Sequence, residues 1–170
     1  RILYNFQRIN ISDYFSDCVE EVGLDLESKN IKLNFDNLVP DDTIVIADPE
    51  QMKRVINNII GNSVKYMDKD PSKGQGMIEI RLLDDVDSIR IEIEDNGRGI
   101  AAKDLGRIFE RFYRTDSSRN SSRGGSGIGL SIVKKIIEDH GGYIWATSKE
   151  GEGTCMHFVL RKYKEVEKNE

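Results

Sequence analysis

Residues 95–100 (DNGRGI) combine a carboxylate, an amide and two glycines directly after an alternating stretch, residues 89–94. The isoleucines of that stretch stand at odd positions, and Asp95 continues their parity. Its carboxylate is therefore predicted to point to the buried side of a strand. A carboxylate there needs a hydrogen-bonding partner. Two interpretations remain open: Asp95 caps its own turn, or it hydrogen-bonds a ligand.

A second polar set lies on a predicted helix from Asp48 to about Met67. Asp48 is the expected N-cap, Pro49 suits the first helical position, and Gln51 completes a capping box. Apolar residues cover one broad side of this helix, which is the pattern of a core-facing helix.

Beside that apolar side, Asn58, Asn62 and Lys65 recur at helical spacing, with Tyr66 at their border. Amide oxygens can ligate Mg²⁺, which also takes phosphate oxygens as ligands, and a lysine can bind a phosphate. Asparagine is a poor helix former, so its repetition indicates a selected function. The alternative is an ordinary solvated helix face.

A glycine-rich segment, residues 124–130, begins a helix predicted over 126–140. Helix N-termini present N–H groups to anions, so the segment favours phosphate binding over a simple flexible joint. It is preceded by an aromatic segment, residues 109–114, and a polar stretch with Arg119 and Arg123. That stretch is predicted to be mobile, either as a loop that closes over a polyphosphate or as a surface loop.

Composition limits the classes of protein. The 170 residues, 38% hydrophobic and 32% charged with a net charge of −5, predict one soluble globular domain and argue against a nucleic-acid binder. Cys18 and Cys155 suit a reducing compartment. No metal-ligand spacing of Cys and His is found in the sequence, and no apolar run approaches a membrane span of about 20 residues.

Periodicity predicts the elements that position these residues. Helices are expected over residues 12–29, 48–67, 101–112 and 126–140, and strands over 31–35, 43–47, 78–82, 89–95, 143–147 and 154–160. Strand pairs and helices without regular βαβ alternation indicate an α+β fold, a two-layer α/β sandwich. Residues 1–10 form a polar lead-in, and the charged tail from Lys162 is expected to fray. The chain starts without Met and is expected to be a piece of a longer protein.

Five segments in this order resemble the catalytic, ATP-binding domain of bacterial two-component sensor histidine kinases, members of the GHKL superfamily with gyrase, heat-shock and mismatch-repair ATPases. They are residues 58–66, 95–100, 109–114, 125–130 and 151–154. The match covers about residues 10–161. The resemblance implies a Bergerat fold, a mixed sheet of about five strands packed on three helices with a mobile ATP lid. It divides the chain into the end of an upstream dimerisation helix or linker (1–10), the ATP-binding domain (11–161) and a tail (162–170).

The resemblance also implies the roles of the site residues. Asp95 would accept a hydrogen bond from the adenine amino group, and Asn62 would hold Mg²⁺ with support from Asn58. Lys65 and Arg114 would contact phosphates. The remaining implied ATP-binding residues are Tyr66 and Tyr113 near the nucleoside, Gly97, Gly99 and Ile100 beside the adenine, Gly125, Gly127, Ile128, Gly129 and Leu130 at the lid hinge, and Thr154 at the adenine end.

Asn58 discriminates within the superfamily, because the ATPases place a glutamate there as general base for water, and an amide cannot take a proton. The expected function is transfer of the γ-phosphoryl group of Mg-ATP to a histidine on the kinase's own dimerisation domain, in a homodimer that serves a response regulator. His140 and His157 are expected to be structural, so this chain should not phosphorylate itself. The parent protein is expected at the bacterial membrane, with this domain in the cytoplasm. The alternative is a nucleotide-binding regulatory module without phosphotransfer.

Overall fold

The computed structural model describes residues 1–68, 70–115 and 129–165. Its strands are β1 (Gln7–Asn10), β2 (Ile31–Asn37), β3 (Ile44–Ala47), β4 (Gly76–Asp84), β5 (Ser88–Asp95), β6 (Tyr143–Lys149) and β7 (Gly153–Arg161). Its helices are α1 (Ile11–Ser28), α2 (Pro49–Lys65), α3 (Ala102–Leu105) and α4 (Gly129–Asp139), with one 3₁₀ turn at Pro71–Lys73.

The central sheet has five strands in the order β2-β4-β5-β7-β6. β2 runs parallel to β4, and the other neighbours are antiparallel, including the predicted hairpin of β4 and β5. The sheet is therefore mixed, and the predicted α+β sandwich is confirmed. β1 and β3 form a separate antiparallel pair.

Alternation along the strands separates the two faces of the sheet. Ile80, Ile91 and Phe158 are at most 1% exposed and face the helices, whose core residues include Phe15 of α1 and Ile56 of α2. The opposite face carries polar and aromatic side chains. Asp95 falls on the helical side, as its parity predicts, and this side also holds the candidate site.

Two predicted helices begin or end elsewhere. α1 begins at Ile11, one residue before the predicted start, and Asn10 caps it by accepting the backbone N–H of Asp13 at 3.0 Å. The buried Ser12 accepts from the side chain of Asn37. The helix predicted over 101–112 is limited to Ala102–Leu105. Beyond it, hydrogen bonds that join residues three apart produce successive turns instead of a continued α-helix, and residue 112 has a positive φ.

The two ends of the domain are more ordered than their composition predicts. Gln7–Asn10 is a strand whose partner is β3, with Ile9 opposite Val45. The backbone N–H of Tyr163 donates to Ile44 O at 2.7 Å, so hydrogen bonds continue past residue 162, where fraying was expected. Both contacts give partners to the short strand β3, and they join residues too distant in sequence for periodicity to reveal.

Candidate nucleotide-binding site

The polar helix face belongs to α2, whose start is defined by Asp48. Asp48 Oδ1 accepts the backbone N–H groups of Glu50 and Gln51, at 3.0 and 3.2 Å. The N-cap at Asp48 is confirmed, but the capping box is wrong, because Gln51 does not accept the backbone N–H of Asp48. The backbone N–H of Asp48 donates to Nε2 of His140 at 3.0 Å, and within the described residues the buried Oε1 of Gln51 has no hydrogen-bond partner. α2 ends at Lys65, two residues before the predicted end.

The site residues on α2 face a cavity of about 740 Å³ between α2, the segment after β5 and the start of α4. Most of the predicted binding residues line it. They are Asn58, Asn62, Lys65, Tyr66, Gly99, Ile100, Tyr113, Arg114, Gly129 and Leu130. The fold therefore gathers residues from four separated segments at one concave surface, which is the usual form of a small-molecule site.

Asp95 lies next to this cavity and does not line it. Its Oδ1 accepts the backbone N–H groups of Gly97, at 2.9 Å, and Thr154, at 3.3 Å, and the Ser63 hydroxyl is a further partner. Burial raises the pKa of Asp95, while these hydrogen bonds lower it. The protein itself thus supplies part of the hydrogen bonding that the carboxylate needs. A carboxylate offers about four acceptor positions, so a ligand donor remains compatible with this turn.

The glycines beside Asp95 are required by contacts within the protein. A Cβ on Gly99, whose φ is +74°, would lie 2.3 Å from the carbonyl oxygen of Lys149. A Cβ on Gly153, whose φ is +118°, would lie 2.0 Å from the carbonyl oxygen of Asp95. Gly99, which was expected beside the adenine, is therefore required first by backbone contact, and so is Gly153.

Backbone hydrogen bonds hold the segment after β5 in place. Arg98 N–H donates to the carbonyl of Tyr66 at 3.1 Å, and Arg98 O accepts from Gly151 N–H at 2.7 Å. The segment is thereby attached both to the end of α2 and to the turn between β6 and β7. A ligand at this edge would meet a preorganised backbone.

Cationic side chains line the cavity, among them Lys65 and Arg98. Lys65 Nζ lies 5.2 Å and Arg98 Cζ 5.3 Å from the centre of the Tyr66 ring, within cation–π distance. Arg114 also lines the cavity. Arg98 belongs to the quoted DNGRGI segment but was not predicted as a binding residue. Its position between two glycines was the available signal.

The aromatic segment is fixed by a residue that sequence reasoning missed. Asp104, 5% exposed, accepts a hydrogen bond from the Tyr113 hydroxyl. Arg107 lies over the Tyr113 ring, with Cζ 4.5 Å from the ring centre. Other lining residues were also missed: Asn57, Gly61, Ala101, Lys103, Ile108, Thr115 and Glu150. No spacing pattern in the sequence distinguishes them.

The glycine-rich segment is described from Gly129 onward. A Cβ built on Gly129 would lie 4.0 Å from Cγ and Oδ1 of Asn58, so the start of α4 sits beside the proposed metal face of α2. Gly125, Gly127 and Ile128, and with them the predicted lid hinge, lie outside the described residues. The donor set present, amide oxygens on α2 beside cationic groups, fits Mg²⁺ with phosphate oxygens.

A comparison with protein families identifies this arrangement. The family model described as histidine kinase-, DNA gyrase B- and HSP90-like ATPase matches residues 47–164. The chain belongs to this ATPase family. The resemblance to sensor histidine kinases drawn from the sequence is confirmed by the relatives and solved structures below.

Curated relatives of this family member are sensor histidine kinases. The chain is 35% identical over 170 residues to sensor histidine kinase WalK of Bacillus subtilis, covering 98% of this chain and 27% of that protein. It is 40% identical over 125 residues to sensor protein kinase WalK of Staphylococcus haemolyticus, covering 72% of this chain and 20% of that protein. The chain thus spans about a quarter of the length of these relatives.

Solved structures give the same fold. The catalytic domain of histidine kinase ThkA aligns with a TM-score of 0.76 at 28% identity, covering 93% of this chain and 98% of that chain. The mycobacterial sensor histidine kinase MprB aligns with a TM-score of 0.73 at 25% identity, covering 93% and 98%. Within the described residues, no helix has the length and apolar character needed to cross a membrane.

Proposed function

We propose that this ATPase-family domain binds Mg-ATP in the cavity beside α2 and donates the γ-phosphoryl group to a histidine of a dimerisation domain. Asn62 would ligate Mg²⁺, with Asn58 beside it, and Lys65 and Arg114 would bind phosphate oxygens. Asp95 would accept from the adenine amino group. The observation that carries the proposal is the shared cavity: amide, cationic and glycine residues from separate segments line one surface. Bound Mg²⁺ would neutralise charge on the transferred group.

The acidic residues of the cavity favour phosphoryl transfer over hydrolysis. Among the described lining residues, the carboxylates belong to Asp104 and Glu150. Asp104 accepts the Tyr113 hydroxyl, and Glu150 lies in the exposed turn between β6 and β7. Position 58, beside the start of α4, is an amide that cannot deprotonate water. These features of the described residues support a site without a general base for water, which passes the phosphoryl group to another nucleophile.

The histidines of this chain are engaged elsewhere, which supports an acceptor on another domain. His140 is held between Ile136 O and the Asp48 N–H, at 2.7 and 3.0 Å. His157 contacts Glu92 and Thr147 on the face of the sheet opposite the helices. Histidine kinase ThkA has been crystallised with response regulator TrrA, at a TM-score of 0.71 and 26% identity to this chain. We therefore propose a response-regulator receiver domain as the further partner, with the parent protein a homodimer at the bacterial membrane.

Radiolabel transfer tests the proposal. With labelled ATP and Mg²⁺, the chain should label a separately supplied dimerisation domain, and the label should vanish when the acceptor histidine of that domain is replaced. Asn62→Ala should abolish transfer and the Mg²⁺ dependence of ATP affinity, measured by calorimetry. Asn34→Ala, a change on β2 away from the cavity, is the matched control. ATP binding without transfer to any partner domain would instead support the nucleotide-binding module.

A further inference from the structure

The face of the sheet opposite the helices carries a cluster of three potential metal ligands. Glu92 of β5 and His157 of β7 are direct cross-strand partners. Cys155 lies two residues before His157 and therefore on the same face. Glu92 and Cys155 are 8% and 5% exposed, and the His157 side chain is 13% exposed. The cluster plays no part in the proposed nucleotide site.

The three side chains converge. His157 Nδ1 lies 2.7 Å from Glu92 Oε2 and 3.9 Å from Cys155 Sγ. All three ligand atoms lie within 4.8 Å of one another. Around a tetrahedral Zn²⁺, with bonds of about 2.0–2.3 Å, ligand atoms stand about 3.3–3.6 Å apart. Coordination therefore requires side-chain shifts of about half an ångström to one ångström.

We propose that Glu92, Cys155 and His157 form a zinc site on the outer face of the sheet, with a water molecule as fourth ligand. Thiolate, imidazole and carboxylate are the ligands that Zn²⁺ takes in proteins, and the thiolate disfavours Mg²⁺ and Ca²⁺. Because Glu92 is on β5 and the other two ligands are on β7, a bound ion would join the two central strands of the sheet.

The imidazole of His157 is held in position on two sides. Its ring stacks on Trp145, with centres 4.9 Å apart and an interplanar angle of 3°. Thr147 Oγ1 lies 2.7 Å from Nε2. When the Nε2–H donates to this hydroxyl, the lone pair of Nδ1 points to the metal position. Such an outer partner is the usual means of orienting a metal-binding histidine.

Zinc binding at this cluster releases the proton of the Cys155 thiol. Burial, together with Glu92 and Glu94, raises the pKa of the Cys155 thiol to about 12, so the metal-free cysteine is protonated. Coordination forms a Zn–S bond and releases the thiol proton to solvent. In the metal-free state Nδ1–H can donate to Glu92 and the Thr147 hydroxyl to Nε2. Metal binding at Nδ1 requires the ring proton to be on Nε2, from which it is donated to Thr147 Oγ1.

An ion-pair network surrounds the cluster. Glu79, Glu92 and Glu94 form ion pairs with Arg81 and Arg90, so a metal ion would have to bind within this network. Arg81 Nε binds Glu92 Oε1, the oxygen that does not face His157, and its Nη1 is held by the other two carboxylates. Arg90 Nε lies 3.2 Å from Oε2, and its side chain is 41% exposed, so it can turn away to solvent. Arg81 Nη2 lies 3.8 Å from Cys155 Sγ and can also donate to a metal-bound thiolate.

Metal titration of the untagged chain tests the inference. In excess Mg²⁺ and without nucleotide, we expect one Zn²⁺ per chain, and Co²⁺ should give a thiolate-to-cobalt charge-transfer absorption. Cys155→Ser should abolish this absorption and weaken Zn²⁺ binding at least about tenfold. Cys18→Ser is the matched control, because Cys18 is the other buried cysteine and lies on α1. Binding that survives Cys155→Ser, or no Zn²⁺ binding at all, would show that the cluster is only an ion-pair network.

Thermal unfolding gives a second test, which remains valid when a variant is less stable than wild type, because it compares each protein with and without Zn²⁺. Zn²⁺ should raise the Tm of wild type and of Cys18→Ser, because the ion links two strands only in the folded state. Neither Cys155→Ser nor Glu92→Gln, which retains the length of the side chain, should show the rise. An equal rise in Glu92→Gln would remove Glu92 from the site and overturn the proposed ligand set.

Discussion

At the scale of single residues, Asp95 joins a structural and a proposed binding role. Its Oδ1 receives two backbone N–H groups, so the turn depends on it whether or not a nucleotide is bound. Burial raises its pKa, and an ionised carboxylate is therefore disfavoured in the folded protein. The free energy of unfolding therefore decreases as pH rises through the raised pKa of Asp95. Above that pKa the charge on Asp95 destabilises the fold, which suits a residue kept for ligand binding.

Asp95→Asn should separate the two roles. The amide retains an acceptor for the backbone N–H groups but presents a donor where adenine would donate, so ATP affinity should fall about tenfold or more. The Tm should not fall, because the buried charge is removed. Calorimetry and thermal unfolding measure the two effects, and Glu94→Gln, an exposed neighbour, should change neither by much. Unchanged ATP affinity in Asp95→Asn would contradict the adenine assignment.

At the scale of elements, the end of α4 shows how a helix is stopped and attached to the sheet. Gly141 N–H donates to Glu138 O and Gly142 N–H to Ile137 O, at 2.9 and 3.0 Å, which is a Schellman motif. The two glycines have different reasons to be there. Gly141 has φ of +78° in open space, whereas a Cβ on Gly142 would lie 1.9 Å from the carbonyl oxygen of Val159.

Alanine substitutions at these two positions should distinguish the cost of a positive φ, at Gly141, from the cost of a clash with β7, at Gly142. Gly141→Ala should lower the free energy of unfolding by about 1–2 kcal/mol, the cost of a left-handed residue with a Cβ. Gly142→Ala should cost at least about twice as much, because backbone of β7 must move. Urea unfolding compares the two variants. Equal losses would show that helix termination alone, and not contact with the sheet, requires the pair.

At the scale of the whole molecule, His140 connects three distant parts of the chain. It lies at the end of α4, accepts the Asp48 N–H at the start of α2, and stacks edge-on against Tyr4 and Phe6 of the lead-in. Tyr4 also donates to Asp139 at 2.6 Å. The lead-in is thereby attached to the two helices that border the candidate site.

The pKa of His140 makes this connection dependent on pH. Burial lowers it below the ordinary value of 6.5, against the raising effects of Ile136 O, Asp48 and Asp139. The neutral imidazole therefore contributes stability above about pH 6.5 that is lost as pH falls below this value. The lowered pKa values of Asp48 and Asp139 act in a different window, below their ordinary 3.8.

His140→Gln retains an acceptor for the Asp48 N–H but cannot be protonated in this range. Between about pH 7.5 and about pH 5.5, wild type should lose more free energy of unfolding than this variant. Urea unfolding at several pH values measures the difference. Parallel pH profiles would show that protonation of His140 does not oppose folding.

Much of the fold and of the candidate site was predictable because its signals are local. The alternation of residues 89–95, the N-cap at Asp48 and the spacing of Asn58, Asn62 and Lys65 each repeat the geometry of one element. The order of five short segments then indicated the family. The errors arise where the signal is not local: β1 and residues 162–163 are held by partners more than 30 positions away, which no local period records.

The sequence by itself determined most of the elements, the family and the side chains of Asn58, Asn62 and Lys65 that line the cavity from α2. Only the tertiary structure decided which groups meet across the sheet and between elements. Gly153 is required because Asp95 O lies against it, and His140 accepts the backbone N–H of Asp48, the N-cap of α2, from 92 positions along the chain. In the sequence, Cys155 and His157 do not have the spacing of metal ligands. The three-residue cluster exists only because strand pairing places Glu92 opposite His157. Such contacts depend on register and packing, which are properties of the folded chain.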